Sequence, residues 1–413
     1  MNNSIGEFLN LIFTNLFQFL GDSAIFWAPP VLIFVGWELW LRYKNMLFIS
    51  KMKWSLLEIR VPKDVFKSPL AMEIMLANAF YQTGGTGTWY DKYWLGKVRM
   101  WFSLEIISLG GKVYFLMKIP SQFRNIVETQ IYAQYPQAEI NEIDDYTDMI
   151  PPYEDKSGEW LMFGTEFTLT KADPYPIRTY IDYGLDRSVG QEEEQKIDPI
   201  TPLIENLGSI GKDEQIWFQI IIRAATNRYP KKDGKFNQKQ GWVDEAKALV
   251  KELKDKGRPK EKGEMPTPLT KGENEVISAI ERSMDKMAFD CGMRAIYLGK
   301  KDVFAKANNI TALTGMFKQF NSASLNGFKP KNVTGFDYPW QDPGGSRTDH
   351  LKREIFEQYK ARSYFYHPHK KQPFLLTSEE LATIYHFPGR VLETPTFKRL
   401  ESKKSEPPYN LPV

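Results

Sequence analysis

Hydrophobic and polar positions divide the chain into regimes of very different character. From residue 8 to 41 the only charged side chains are Asp22 and Glu38. The better half of this stretch, 23–41 (SAIFWAPPVLIFVGWELWL), is nearly all apolar and as a helix matches a hydrocarbon core of about 30 Å. Trp27, Trp37 and Trp40 stand near its ends, where indole rings favour the membrane–water interface. Arg42, Lys44, Lys51 and Lys53 follow with no acid among them, so the positive-inside bias assigns residues 42 onward to the cytoplasm. The Pro29-Pro30 pair predicts a kink or a break. A cleaved signal peptide fits poorly, since no basic leader and no small-residue cleavage site are present. Residues 5–20 are apolar but interrupted by Asn10, Thr14, Asn15 and Gln18, which suits an interfacial segment or one arm of a re-entrant hairpin. The alternative, the buried first helix of a soluble domain, does not account for the basic flank and the Trp belt.

Beyond residue 53 the periodicity changes. LLEIRVP (56–62) alternates as a strand, and Ser68-Pro69 caps a helix over LAMEIMLANAF. WFSLEIIS (101–108) and KVYFLMKIP (112–120) read as strands joined by a tight turn at Gly110-Gly111. Ser121 opens a helix with Phe123, Val127 and Ile131 on one stripe, and 138–146 reads as a strand. The order β-α-β-β-α-β predicts a ferredoxin-like, split-βαβ unit over 54–150 with helices on one sheet face. A looser second unit is expected over 158–340. It has strands at 158–170, 214–225 and 291–299, the middle one so continuously apolar that it should be central and buried on both faces. Helices are expected from Asp198-Pro199 to about 210, from the Thr270/Glu273 capping box onward, and over 302–320. Residues 228–271 read as a charged helical insertion. Residues 341–413 read as a helical, proline-punctuated connector, with a Thr377/Glu380 capping box over one short helix. The expected class is α+β: a transmembrane helix and basic flank (1–53), then two ferredoxin-like units with a helical insertion.

Composition narrows the chemistry. The 413 residues carry a formal charge of +3, which gives no global attraction to nucleic acid. One cysteine, Cys291, excludes an internal disulfide and a Cys-cluster metal site, and it reads as a small core residue. The run Gly84-Gly85-Thr86-Gly87-Thr88 lacks a following Lys for phosphate and follows a helix, so it reads as a connector. The aromatics after it pack on the sheet or face a neighbour. His367-Pro368-His369 lacks the further ligands zinc needs and reads as a surface loop. Asp144-Asp145 and the Glu192–Glu194 run read as solvated loop charges. No catalytic residue, cofactor or metal is expected. The residues expected to act are the anchor set Trp27, Trp37, Trp40, Arg42 and Lys44, meeting membrane lipid, and an interaction surface of Trp89, Tyr90, Trp94, Tyr132 and Tyr135. A competing reading is a membrane-tethered nucleic-acid-binding protein using Arg228, Lys231, Lys232, Lys235 and Lys239.

Two motif groups carry a resemblance. WFSLEIISLGGKVYFLMKIPSQFRNIVETQIYAQYPQAEI (101–140) resembles the membrane-proximal region of HerA/FtsK-like, TraD-like conjugative-transfer ATPases, the coupling proteins of type IV secretion. LLTSEELATIYHFPG and TPTFKRLESKKSEPPYNLP look like the connector that leads to the motor in that family. The resemblance implies a cytoplasmic body held at the cell membrane by a single pass. It also implies a non-catalytic module: the family's P-loop domain would begin where this sequence stops, so either the motor is a separately encoded HerA/FtsK-like ATPase, the partner expected here, or the chain is a truncated or degenerate copy. The family's ring implies a homo-oligomer as context.

Overall fold

The computed structural model describes Thr14, Gln18 and residues 21–62, 67–81, 87–153, 158–186, 198–225, 229–230, 239–256, 268–304, 306–336 and 338–388. The chain divides into two compact units, Met1–Met52 with Gly84–Arg99, and Lys53–Thr83 with Met100–Val413.

The first unit is built on α1 (Ala24–Ser50), a helix with no buried residue. An apolar window of mean hydropathy 1.6 makes it long and apolar enough to cross a membrane. The Pro29-Pro30 pair does not break it. The two prolines lack the N–H groups that would pair with the carbonyls of Ile25 and Phe26, so the helix runs on without those two bonds. A short second helix, α2 (Trp89–Tyr93), belongs to the same unit.

Among its described residues the second unit is built on one large antiparallel sheet flanked by helices. Its strands are β1 (Trp54–Arg60), β2 (Phe102–Leu109), β3 (Lys112–Pro120), β4 (Glu139–Glu142), β5 (Trp160–Leu169), β6 (Glu214–Ala224), and further on Ala288–Lys300, Phe328–Lys331 and Phe374–Thr377. Those last three are β9, β10 and β11, since a separate two-residue pair, β7 (Tyr229–Pro230) and β8 (Lys239–Gln240), intervenes. The order across the sheet is β10-β5-β9-β6-β2-β3-β1-β4, with β11 also paired to β9. Each half therefore repeats one order. The first runs β4-β1-β3-β2, the second β10-β5-β9-β6, and the halves join where β2 pairs antiparallel with β6 from Phe102↔Ile222 to Leu109↔Gln215. Gly110 and Gly111 close the β2–β3 hairpin at φ 58° and 82°, values that L side chains resist.

Helices α3 (Pro69–Phe80), α4 (Arg124–Gln134), α5 (Thr201–Gly208) and α8 (Lys306–Gly315) lie in the connections within the two halves. Two more, α6 (Trp242–Lys256) and α7 (Lys271–Met284), form an arm between β6 and β9 with a small core of Ala246, Val250, Ile277 and Ile280. The described residues of the expected insertion hold one helix, α6, and the capping-box helix α7, expected separately, packs with it as the second member of the arm. Alternation sends Leu57, Ile59, Leu104, Phe115, Met117, Phe218 and Met293 into one core with α3, α4 and α5. Leu56, Ile107, Leu116, Trp217 and Ile296 face the other side. There they are covered by Ile355, Phe356 and Tyr359 of α9 (Ser346–Lys360) and by Tyr146, Ile150 and Tyr153. Both faces are apolar, so helices on one face alone would leave several large side chains in water, at about 1.5–3 kcal/mol each.

The stretch expected to act as connector is part of this body up to residue 388. β11 pairs with β9 from Phe374↔Cys291 to Thr377↔Ala288. The Thr377/Glu380 capping box opens α10 (Ser378–Ile384), every residue of which is buried. Phe387 packs edge-on against Phe115 and Tyr135. The capping box marks α10 in the sequence, whereas a strand of four residues carries too little periodicity to show that the chain returns to the sheet. The part of the connector from residue 389 lies outside the described residues.

Candidate membrane-interface site

The anchor residues and the aromatic loop residues 89–94 come together inside the first unit. Thr88 opens α2 with a capping box: its hydroxyl accepts from Asp91 N–H at 3.3 Å, while Thr88 N–H donates to the Asp91 carboxylate at 3.0 Å. Lys97 pairs with that carboxylate at 2.7 Å. Together with the Thr88 donors, Lys97 holds the Asp91 carboxyl down at about 2. Trp40 Nε1–H then donates to the Tyr93 carbonyl at 3.1 Å. Ring contacts follow, Trp40 on Trp94 at 5.6 Å, Trp37 on Tyr93 at 5.6 Å and Trp89 on Tyr93 at 5.5 Å. The Lys44 ammonium sits 4.8 Å from the Trp40 ring and 6.0 Å from that of Trp94, within cation–π range.

One glycine makes this docking possible. Gly96 has φ +68°, and a Cβ there would lie 2.5 Å from the Lys44 carbonyl carbon and oxygen. Only a residue without a side chain lets the chain close so tightly on the backbone of α1.

The remaining expected residues divide. Trp27 and Arg42 are exposed on α1, and Arg42 reaches Glu38 at 3.9 Å. Trp89, Tyr90 and Trp94 keep 66%, 52% and 51% of their surface exposed. Tyr132, on α4 in the sheet unit, is also exposed. Tyr135 is not a surface residue: it is 2% exposed, with its ring edge-on to Phe387 at 5.1 Å. It ends α4 and turns inward beneath the tail, a neighbour the local pattern does not reveal. Of the basic set 228–239, Arg228, Lys231, Lys232 and Lys235 lie outside the described residues, as does the run Glu192–Glu194.

Charged groups inside the sheet unit are tied to one another. Glu105 is fully buried and receives Arg362 Nε–H and Nη2–H at 3.0 and 3.2 Å, Ser103 O–H at 2.6 Å, Tyr146 O–H at 2.8 Å and Gln219 N–H at 3.0 Å. Arg362 also reaches Asp145 at 2.7 and 3.0 Å, and Lys118 reaches the same carboxylate at 2.8 Å. Asp145 is thus an ion-paired, part-buried group and not a solvated one, whereas Asp144 is exposed. Burial alone would raise both carboxyls, but the Arg362 guanidinium outweighs it and holds both below their usual range. Carboxylates fixed as anions by five donors or a double ion pair are suited to holding elements together and poorly suited to passing protons.

A second network ties the arm to the body. Glu73 of α3 accepts from Tyr180 O–H and Lys286 at 2.8 Å each, and Arg282 lies 3.2 Å from Glu379 and 3.4 Å from Asp182. The cleft of about 490 Å³ beside it, lined by Arg178, Asp182, Lys271, Glu275 and Arg282, carries both signs of charge. His386 is buried, with Nε2 at 3.0 Å from Asp198. Cys291 is buried inside β9, not at its start, and its thiol reaches the Phe289 carbonyl. Among the described residues no group of three or more His, Cys, Asp or Glu is placed to hold a metal.

Fold and site together define a class: one exposed apolar helix with an aromatic collar, and a large antiparallel α+β sheet body. Residues 53–399 match the model of a family described as "Domain of unknown function (DUF8128)", and the chain belongs to that family. The match opens where the sheet unit opens, at Lys53. No curated protein matches the chain.

Proposed function

We propose that this protein is a membrane-anchored scaffold. In this reading α1 crosses the cell membrane once, the sheet body lies in the cytoplasm, and the body presents protein–protein faces to a HerA/FtsK-like DNA-transfer motor. The observation that carries the reading is α1, a helix of 27 residues with an apolar window and no buried residue, followed by Lys51 and Lys53. A soluble protein would have to cover such a surface. The two sheet halves support the finer reading. β4-β1-β3-β2 and β10-β5-β9-β6 are each the order of a βαββαβ unit with antiparallel neighbours, so each is read as one ferredoxin-like unit. That arrangement suits the resemblance of residues 101–140 to the membrane-proximal region of TraD-like coupling ATPases.

The test is co-purification of the full chain, extracted from native membranes in mild detergent, with partners identified by mass spectrometry. The reading expects an ATPase carrying a P-loop of the HerA/FtsK type, recovered in fixed ratio to the chain. Recovery of the chain without any such ATPase, both in detergent and after mild cross-linking in the membrane, overturns the motor partner.

A further inference from the structure

We propose that residues 88–96 form a second membrane contact, with the aromatic face of α2 lying in the phospholipid headgroup layer beside α1. The inference rests on the anchor reading and extends it to a segment of the chain far from the first 50 residues.

Four observations place it there. First, Trp89, Tyr90, Trp94 and Leu95 expose 66%, 52%, 51% and 42% of their surface within a few consecutive positions. Rings with a polar end and an apolar body find their most favourable setting at the boundary between hydrocarbon and water. Second, α2 docks on α1 at one height, through the Trp40–Tyr93 hydrogen bond and the Trp40–Trp94 and Trp37–Tyr93 ring contacts. That height is where the apolar run of α1 gives way to Arg42 and Lys44. Trp27 lies about 20 Å away along the helix axis at 1.5 Å per residue, so the two aromatic levels bracket most of a hydrocarbon core.

Third, the charge pattern suits phosphate. Lys44 and Lys92 hold their ammonium groups 4.8 Å from the Trp40 and Tyr93 rings respectively, in position for lipid phosphates. The one acid of α2, Asp91, is neutralised by Lys97. Fourth, the segment is built and not merely lying there: a capping box defines its start, and Gly96 seats its end on the Lys44 backbone. A face fixed at the end of the span in this way continues the membrane contact made by α1.

The experiment uses the full chain in vesicles of phosphatidylcholine and phosphatidylglycerol. Cys291 is fully buried, so an NBD maleimide can be directed to a cysteine added at Tyr90, Ile33 or Trp340, exposed by 52%, 73% and 71%. Quenching is measured with a shallow spin-labelled lipid, a deep one, and aqueous iodide. The expected result is that Tyr90→Cys is quenched by the shallow lipid and is several-fold less sensitive to iodide than Trp340→Cys, while Ile33→Cys answers to the deep lipid. If Tyr90→Cys answers to iodide as Trp340→Cys does, the face is in water and the proposal fails. If it is shielded from iodide without lipid quenching, a protein or a second copy covers it, and the proposal fails equally. Loss of lipid quenching at Ile33→Cys as well would locate the failure in the anchor itself. Trp89→Cys repeats the measurement on the same face should the Tyr90 variant misfold.

Discussion

Arg362 holds two acids at the centre of the sheet body, and replacing it by Met removes the charge while keeping much of the volume. The guanidinium is 4% exposed and Glu105 fully buried, so Arg362→Met leaves an ionised carboxylate in the core with only neutral donors. Breaking a buried pair from one side costs about 3–5 kcal/mol. For a body of this size, about 2 °C of melting temperature per kcal/mol gives a fall of roughly 6–10 °C at pH 7. The pH dependence carries the sharper test. In the native chain Glu105 and Asp145 are held below their unfolded values near 4, so their stabilisation is complete above about pH 4 and is lost as pH falls through the folded values. In Arg362→Met the dominant influence on Glu105 becomes burial, which raises its folded pKa above the unfolded one. The variant therefore recovers stability as pH falls from 7 toward 5, and the gap to the native chain narrows. Melting curves of the full chain in detergent at pH 7 and pH 5 read both effects. A gap of a degree or two at pH 7, or one of equal size at both pH values, would refute the electrostatic argument.

Tyr135→Ala removes a ring buried against Phe387 and should cost about 3–5 kcal/mol, whereas the exposed Tyr132→Ala should stay within about 0.5 kcal/mol, both read as shifts in thermal unfolding. Thr377→Ala removes the cap of α10 and its 2.8 Å bond to Glu380, for a loss of about 1–2 kcal/mol in the same assay. Gly96→Ala places a methyl against the Lys44 backbone and strains a positive φ. It should release α2 from α1, seen as faster protease cleavage within residues 84–99 while the melting of the sheet body is unchanged.

What was legible in the sequence follows from the range of the interactions involved. The apolar run, the period-2 strands, the Gly110-Gly111 turn and the caps at Ser68, Thr270 and Thr377 are local signals, and each reappears as an element boundary. The continuously apolar 214–225 announced burial on both faces, and β6 lies at the middle of the sheet between β9 and β2. A charged helix over 350–363 was legible and is α9, but its seat on the sheet was not, because its partners lie far away: Tyr359 meets Tyr146 across 213 residues, and Arg362 meets Asp145 across 217. The aromatic collar was half visible. Trp37, Trp40 and Trp94 stood out as residues, and Thr88-x-x-Asp91 is a helix-start signal that was available. Nothing local says that a loop some 50 positions downstream returns to the anchor. That pairing depends on one glycine and one indole N–H, each ordinary in isolation.

If α1 spans a membrane, the basic flank places the body on the cytoplasmic side. Membranes from cells producing the full-length Trp340→Cys variant are washed in alkaline carbonate, and intact and inverted vesicles are treated with a membrane-impermeant maleimide. With α1 across the membrane and the body in the cytoplasm, the chain stays in the carbonate pellet and is labelled at position 340 only in inverted vesicles. Release by carbonate, or labelling of position 340 in intact right-side-out vesicles, would contradict this placement.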